Sequence, residues 1–264
     1  MSRAITTDPW HALRAHTAAR VALGRSGVSL PTAEVLRFGS AHALARDAVH
    51  LPLDTDDLAR QLEAAGWAVL PAHSAAPDRA TYLLRPDLGR RLDDPSAAAL
   101  RDAAQAPAQS AGPDVVVMVG DGLSSLAVAR HAVPLLDAVR AVAPPAWRWG
   151  PVVVAQQARV ALGDPVGELL RARLVVVLIG ERPGLSSPDS LGIYLTWAPR
   201  TGRTDAERNC ISNVRPEGLG YADAAQRLVW LCAEAQRLQL TGVRLKDLSH
   251  LGLEGAAATT LPAG

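Results

Sequence analysis

Glu181 and Arg182 stand between an unbroken apolar run and a Pro-Gly turn, in VVVLIGERPG. A strand buried on both faces reads as continuous Val, Leu and Ile, and in an open α/β sheet ligands bind in the crevice beyond the carboxyl ends of the strands. Glu181 is therefore expected at the edge of a site, as a carboxylate that accepts hydrogen bonds. The alternative is a solvated Glu–Arg pair, which contributes little. A second cluster is ERNCISN, residues 207–213. Cys210 as a nucleophile would need a base to form its thiolate, and no histidine lies nearby in sequence. Close packing against a flat ligand requires only its small size, and that role is favoured.

Gly120-Asp121-Gly122-Leu123-Ser124-Ser125 follows an apolar strand and opens a helix, the setting of a dinucleotide fingerprint with serine in the third glycine place. A nicotinamide or flavin enzyme also needs an acid after the next strand to hold the ribose hydroxyls, and there VVVA runs into Gln156 and Gln157. The competing reading is a tight turn with serine caps. His42, Arg46 and His50 share a helix face, but zinc would want two histidines four apart, so a solvated or subunit-facing polar stripe is expected. Asp47 and His50 have no nearby nucleophile, and no GxSxG elbow occurs, which argues against a hydrolase.

The elements that must position these groups fall into two regimes. Residues 1–110 read as a mainly helical N-terminal lobe. It starts with a helix over DPWHALRAHTAARVAL capped by Asp8, has a GRSG turn, continues with a helix after LPT, and then has a helix leading to a short strand within 54–74. The small, polar, Pro-bearing APAQSAGP, 106–113, marks the boundary. Residues 111–264 alternate strand and helix, predicting an α/β, Rossmann-like, mostly parallel sheet. The last helix, about 221–240, places Ala224, Leu228, Leu231, Cys232 and Ala235 on one face, so Cys232 is expected in the core.

At 264 residues the chain can build one large domain or two small ones. Twenty-seven Lys and Arg against 26 Asp and Glu leave a net charge of +1, so no nucleic acid or anionic membrane partner is implied. Lys246 is the single lysine and is followed by Asp247, so the Gly-Lys-Ser/Thr of a phosphate loop is absent. Cys210 and Cys232 form neither a CxxC pair nor a disulfide framework, which suggests a reducing cytoplasm and no structural metal. No apolar signal core or membrane-length run is present, and a soluble protein is expected.

Taken together, GRSGVSLPT, AHALARDAVH, RPDLGRRL, DGLSS, GDPVGELL, GERPGLSSPDSLG and ERNCISN resemble the small subunits of ethanolamine ammonia-lyase in order and spacing, over nearly the whole chain. The resemblance implies an adenosylcobalamin-dependent complex that converts ethanolamine to acetaldehyde and ammonia by radical chemistry. In such a complex a large barrel subunit carries the substrate site, and cobalamin lies at the interface with the smaller chain. Carried over position by position, it implies cofactor contacts at Val160, Glu181 and Cys210, and no catalytic or metal-ligating residue in this chain. It also implies a hetero-oligomer in the cytoplasm. Some family members carry a longer N-terminal extension linked to a bacterial microcompartment, whereas only a few residues precede DPW here. Cobalamin proteins that replace the cofactor's own base use DxHxxG; Asp47-Ala-Val-His50 and Asp247-Leu-Ser-His250 have the wrong spacing, so base-on binding is expected. Two further readings stay open: an NAD-type oxidoreductase built on GDGLSS, and an assembly subunit that touches no cofactor.

Overall fold

The computed structural model describes residues 5–17, 19–105 and 112–249. Most of APAQSAGP and His250 lie outside them.

The N-terminal stretch departs from expectation at its start. Asp8 does cap a turn, accepting from the Trp10 N–H at 2.8 Å, but only a 3₁₀ turn over Pro9–Ala15 follows. None of its residues is buried, so no packed apolar face holds a longer helix in place. Helix α1 spans Thr32–His50, with Ala48 alone buried. His42, Arg46 and His50 all lie exposed on it. Helix α2 (Thr55–Ala64), capped by Asp54, leads into strand β1 (Val69–His73). Helices α3 (Arg79–Leu84) and α4 (Asp94–Ala104) follow, capped by Asp78 and Asp93.

Past the linker come β2 (Val115–Gly120), α5 (Ser125–Val142), β3 (Trp149–Gln156), α6 (Gly163–Leu169) and β4 (Leu174–Gly180). Then follow β5 (Leu191–Trp197), β6 (Asn209–Val214) and α7 (Tyr221–Leu238). Most of ERNCISN, from Asn209 on, belongs to β6.

All six strands form one sheet in the order β1-β3-β2-β4-β5-β6. β1, β3, β2 and β4 run parallel, while β5 and β6 add an antiparallel edge. β1 comes from the segment expected as the helical lobe, and it pairs along its whole length with β3.

Strand alternation divides the core in two. Val115, Val117 and Val119 face α2, α5 and α7. Val116 and Met118 face α4 and α6, through Leu100 and Val166, and the turn that precedes α6, through Leu162. Cys232 sits in the first of these layers, 1 % exposed. Among the described residues, no helix is long and apolar enough to cross a membrane.

Candidate ligand-binding face

β4 and β5 pair so that Gly180 meets Leu191, and Glu181 leaves the sheet at that point. Its backbone N–H donates to the Ser190 carbonyl at 2.9 Å, and the Ser190 hydroxyl donates to the Glu181 carboxylate. The Asn213 N–H approaches both carboxylate oxygens, at 3.4 and 3.3 Å. A carboxylate has about four acceptor positions, so Glu181 keeps capacity for further donors.

Leu191, Ile193, Leu195 and Ile211 point into the α7 layer. Gly192, Tyr194 and Cys210 therefore point the other way, towards the α6 side. That side of β6 is open, and both Cys210 and Ser212 are exposed. Tyr194 and Cys210 are paired in register. A Cβ built on Gly192 would meet Glu181 Oε1 at 3.1 Å and the Tyr194 ring at 3.2 Å. Glycine there leaves room for the carboxylate to lie against the strand. Partial burial raises the Cys210 thiol above its ordinary value of 9.0; a Tyr194 hydrogen bond opposes this and the Glu181 charge reinforces it. A protonated thiol packs against a ligand and is a poor nucleophile.

Val160 lies on the same side of the sheet, packed half-buried against the α4/α6 layer. It opens a 3₁₀ turn, Val160–Leu162, between β3 and α6. The structure thus gathers Glu181 and Cys210 around Gly192 and Tyr194, and sets Val160 on the same face beyond β2 and β4. A cleft of about 420 Å³ beside the Val160 turn is bounded by Ala161, Asp164 and the loop through Thr201, Arg203 and Asp205, which runs into β6.

Both flanks are braced. The loop bearing Glu181 is held through Asp189, whose carboxylate takes Arg130 Nη1 at 2.7 Å and lies 3.6 Å from His131 Nε2 and from Arg215 Nη1. Burial pushes the Asp189 carboxyl up, but Arg130 and His131 outweigh it and hold it below the ordinary range. His131 Nδ1 in turn meets the Tyr221 hydroxyl at 2.8 Å. On the other flank Tyr82 of α3 lies between two guanidinium groups, Arg159 at 4.2 Å and Arg79 at 4.8 Å from the ring centre. Its hydroxyl donates to the Ala158 carbonyl at 3.0 Å, which steadies the approach to Val160.

GDGLSS is closed by its own side chains. Asp121, 3 % exposed, accepts from the backbone N–H groups of Gln157 and Ala158 at 3.0 and 2.9 Å and from Arg79 at 3.2 Å. Burial raises its carboxyl against these partners. Ser124 caps α5 and donates to the Pro188 carbonyl at 2.7 Å. Gly122 takes φ +58° under the end of β4, where a Cβ would meet the Gly180 carbonyl at 2.3 Å. The motif is a buried capped turn whose space is taken by β4. A phosphate would find that space filled.

Ser190, Gly192 and Tyr194 carry no signal of their own in LSSPDSLGIY, because what surrounds the carboxylate is set by the β4–β5 register. Among the described residues, no group of three His, Cys, Asp or Glu is placed to hold a metal ion.

Comparison with known proteins gives one consistent result. The model of the family described as ethanolamine ammonia-lyase light chain (EutC) matches residues 7–246. The chain is similar to a protein of Ralstonia nicotianae named ethanolamine ammonia-lyase small subunit, at 59% identity over 250 residues, which cover 94% of this chain and 92% of that one. A Pseudomonas paraeruginosa protein of the same name is 56% identical over 255 residues (96% and 93% covered), and one from Pseudomonas putida is 58% identical over 241 (91% and 88%).

Proposed function

Because the chain belongs to the light-chain, or small-subunit, family of ethanolamine ammonia-lyase, we propose that it works with a large subunit to convert ethanolamine to acetaldehyde and ammonia. In this reading it forms one wall of an adenosylcobalamin site, through Glu181, Cys210 and Val160. The supporting observation is the open face of β6, where a half-buried carboxylate with spare acceptor capacity lies beside glycine, tyrosine and an exposed thiol. A corrin is a broad flat ring fringed with neutral amides. Its recognition calls for acceptors and small surfaces, with no strong positive field. The residues present fit that group.

When bound, the cofactor supplies the radical that takes a hydrogen from the substrate. What this chain contributes is placement. Glu181 accepts from the amide fringe with its orientation fixed by Ser190, and Cys210 and Val160 offer compact surfaces to the ring and its tail. No proton transfer is assigned to any side chain here, and the barrel-type partner supplies the substrate contacts.

The isolated chain with adenosylcobalamin should therefore release no acetaldehyde from ethanolamine, and adding the large subunit should produce it. Substantial turnover by this chain alone would overturn the division of labour.

Base-on binding belongs to the same reading, since His50 is exposed at the end of α1 and is preceded by Asp47 at the wrong spacing. Paramagnetic resonance of the reduced cobalt state formed with substrate should give the same nitrogen splitting whether or not the protein carries a heavy-nitrogen label. A pattern that changes with the protein's label would mean that a histidine has replaced the cofactor's base.

A further inference from the structure

Two of the motifs that carry the resemblance meet in a buried ion pair. Asp164 belongs to GDPVGELL and Arg208 to ERNCISN. Their side chains are each 2 % exposed. The contact is a two-pronged fork: Nη1 donates to Oδ1 at 2.6 Å and Nη2 to Oδ2 at 2.7 Å. Arg208 also donates to the Thr196 hydroxyl on β5 and to the Arg203 carbonyl, both at 3.0 Å.

Such a pair is a poor device for stability. The cost of removing both charges from water commonly cancels the Coulomb attraction, and apolar replacements of similar volume are often neutral or stabilising. Arg208 Nε is, besides, buried with only the exposed Asp205 carboxylate near it, at 3.5 Å. What the fork does provide is fixed geometry, because a planar guanidinium and a carboxylate meet in one orientation.

Position in the fold gives that geometry its use. Asp164 is the second residue of α6, which follows directly on the 3₁₀ turn opened by Val160. Arg208 immediately precedes β6, two residues before Cys210. Thr196, on the β5 strand that carries Tyr194, is the third anchor. α6 itself is seated tightly, since a Cβ on Gly163 would lie 2.4 Å from the Val177 side chain. Only Ala161, Leu162 and the tightly packed Gly163 separate Asp164 from Val160, so fixing Asp164 fixes the turn that carries Val160.

We propose that Asp164 and Arg208 are positioning residues that set the distance between Val160 and Cys210, and with it the width of the ligand-binding face. The proposal rests on the cobalamin reading of that face. The pair touches no ligand; it acts through the two residues it holds.

The test uses the complex co-expressed with the large subunit and measures cyanocobalamin binding by equilibrium dialysis, thermal unfolding, and KM for adenosylcobalamin against kcat. The double variant Asp164→Leu/Arg208→Met removes both charges together, so it should unfold close to the parent temperature. Its cyanocobalamin Kd should nevertheless rise about tenfold, and kcat at saturating cofactor should hold, because a misplaced contact costs binding first. Arg208→Lys keeps the charge but loses the fork, and should show the same split to a smaller degree. It carries the test if the double variant fails to assemble. Glu181→Gln serves as the control for the underlying reading. If it weakens cyanocobalamin binding while neither pair variant does, the pair is only structural and the proposal fails. If Glu181→Gln changes nothing, the assignment of the face fails instead.

Discussion

Replacing Glu181 by glutamine is expected to weaken adenosylcobalamin binding to the assembled enzyme about ten- to a hundredfold, the equivalent of roughly 1.5 to 3 kcal/mol for a hydrogen bond to a charged acceptor. The fold should survive. Glutamine is close to glutamate in shape, and its Oε1 can still accept the Ser190 hydroxyl that now meets the carboxylate. What changes is the second atom, an acceptor turned into an amide donor facing the donors of the cofactor's amide fringe. A variant with parent-like unfolding and unchanged Kd would return Glu181 to the solvated Glu–Arg pair that the sequence alone also allowed.

The largest effect on stability is expected at Gly122. Its φ of +58° costs an alanine about 1 to 2 kcal/mol. The added methyl must also enter space held by the Gly180 carbonyl, at 2.3 Å, and Ile179 Cγ1, at 2.6 Å. Backbone cannot swing aside as a side chain does, so Gly122→Ala should lose about 4 kcal/mol or more in total, which puts it among the severe single substitutions. Gly202 supplies the comparison. Its φ of +94° is equally unsuited to alanine, yet nothing lies within 4 Å of its Cβ position, so Gly202→Ala should cost only the conformational part, about 1 to 2 kcal/mol. Denaturant titration of both variants isolates the clash. Equal losses would show that β4 yields easily beneath the turn. Since Gly180 immediately precedes Glu181, Gly122→Ala in the complex should also impair cofactor binding.

Much of this was legible in the chain, for identifiable reasons. VVVMV and LVVVLIG announced fully buried central strands because no polar residue interrupts them, α5 was announced by its capping serine and α7 by the spacing of its apolar face. The helix expected over DPWHALRAHTAARVAL shrank to a 3₁₀ turn, because local propensity needs a packed face and none of the described residues among them is buried. The β-character of ERNCISN was missed, since amides and serine disguise a strand whose outer side is uncovered; only Ile211 and Val214 point into the core. In the candidate site, GERPG and Cys210 stood out as polar groups against apolar or small surroundings. Asp164 and Arg208 did not, because one acid and one arginine among many mean nothing until the fold joins residues 44 apart.

The pairing of β1 with β3 bears on how the chain is made. Val69 finds its partner in Val152, so β1 leaves the ribosome well before the strand it must join, and the linker and α5 are synthesised between them. Until β3 emerges, the backbone donors and acceptors of β1 have no ladder, and an unpaired strand edge invites association with other chains. Pro71, at the middle of β1, lacks an N–H and so blunts that edge. The strand made first thus waits for the third, and its capture closes a long loop, a slow step in folding.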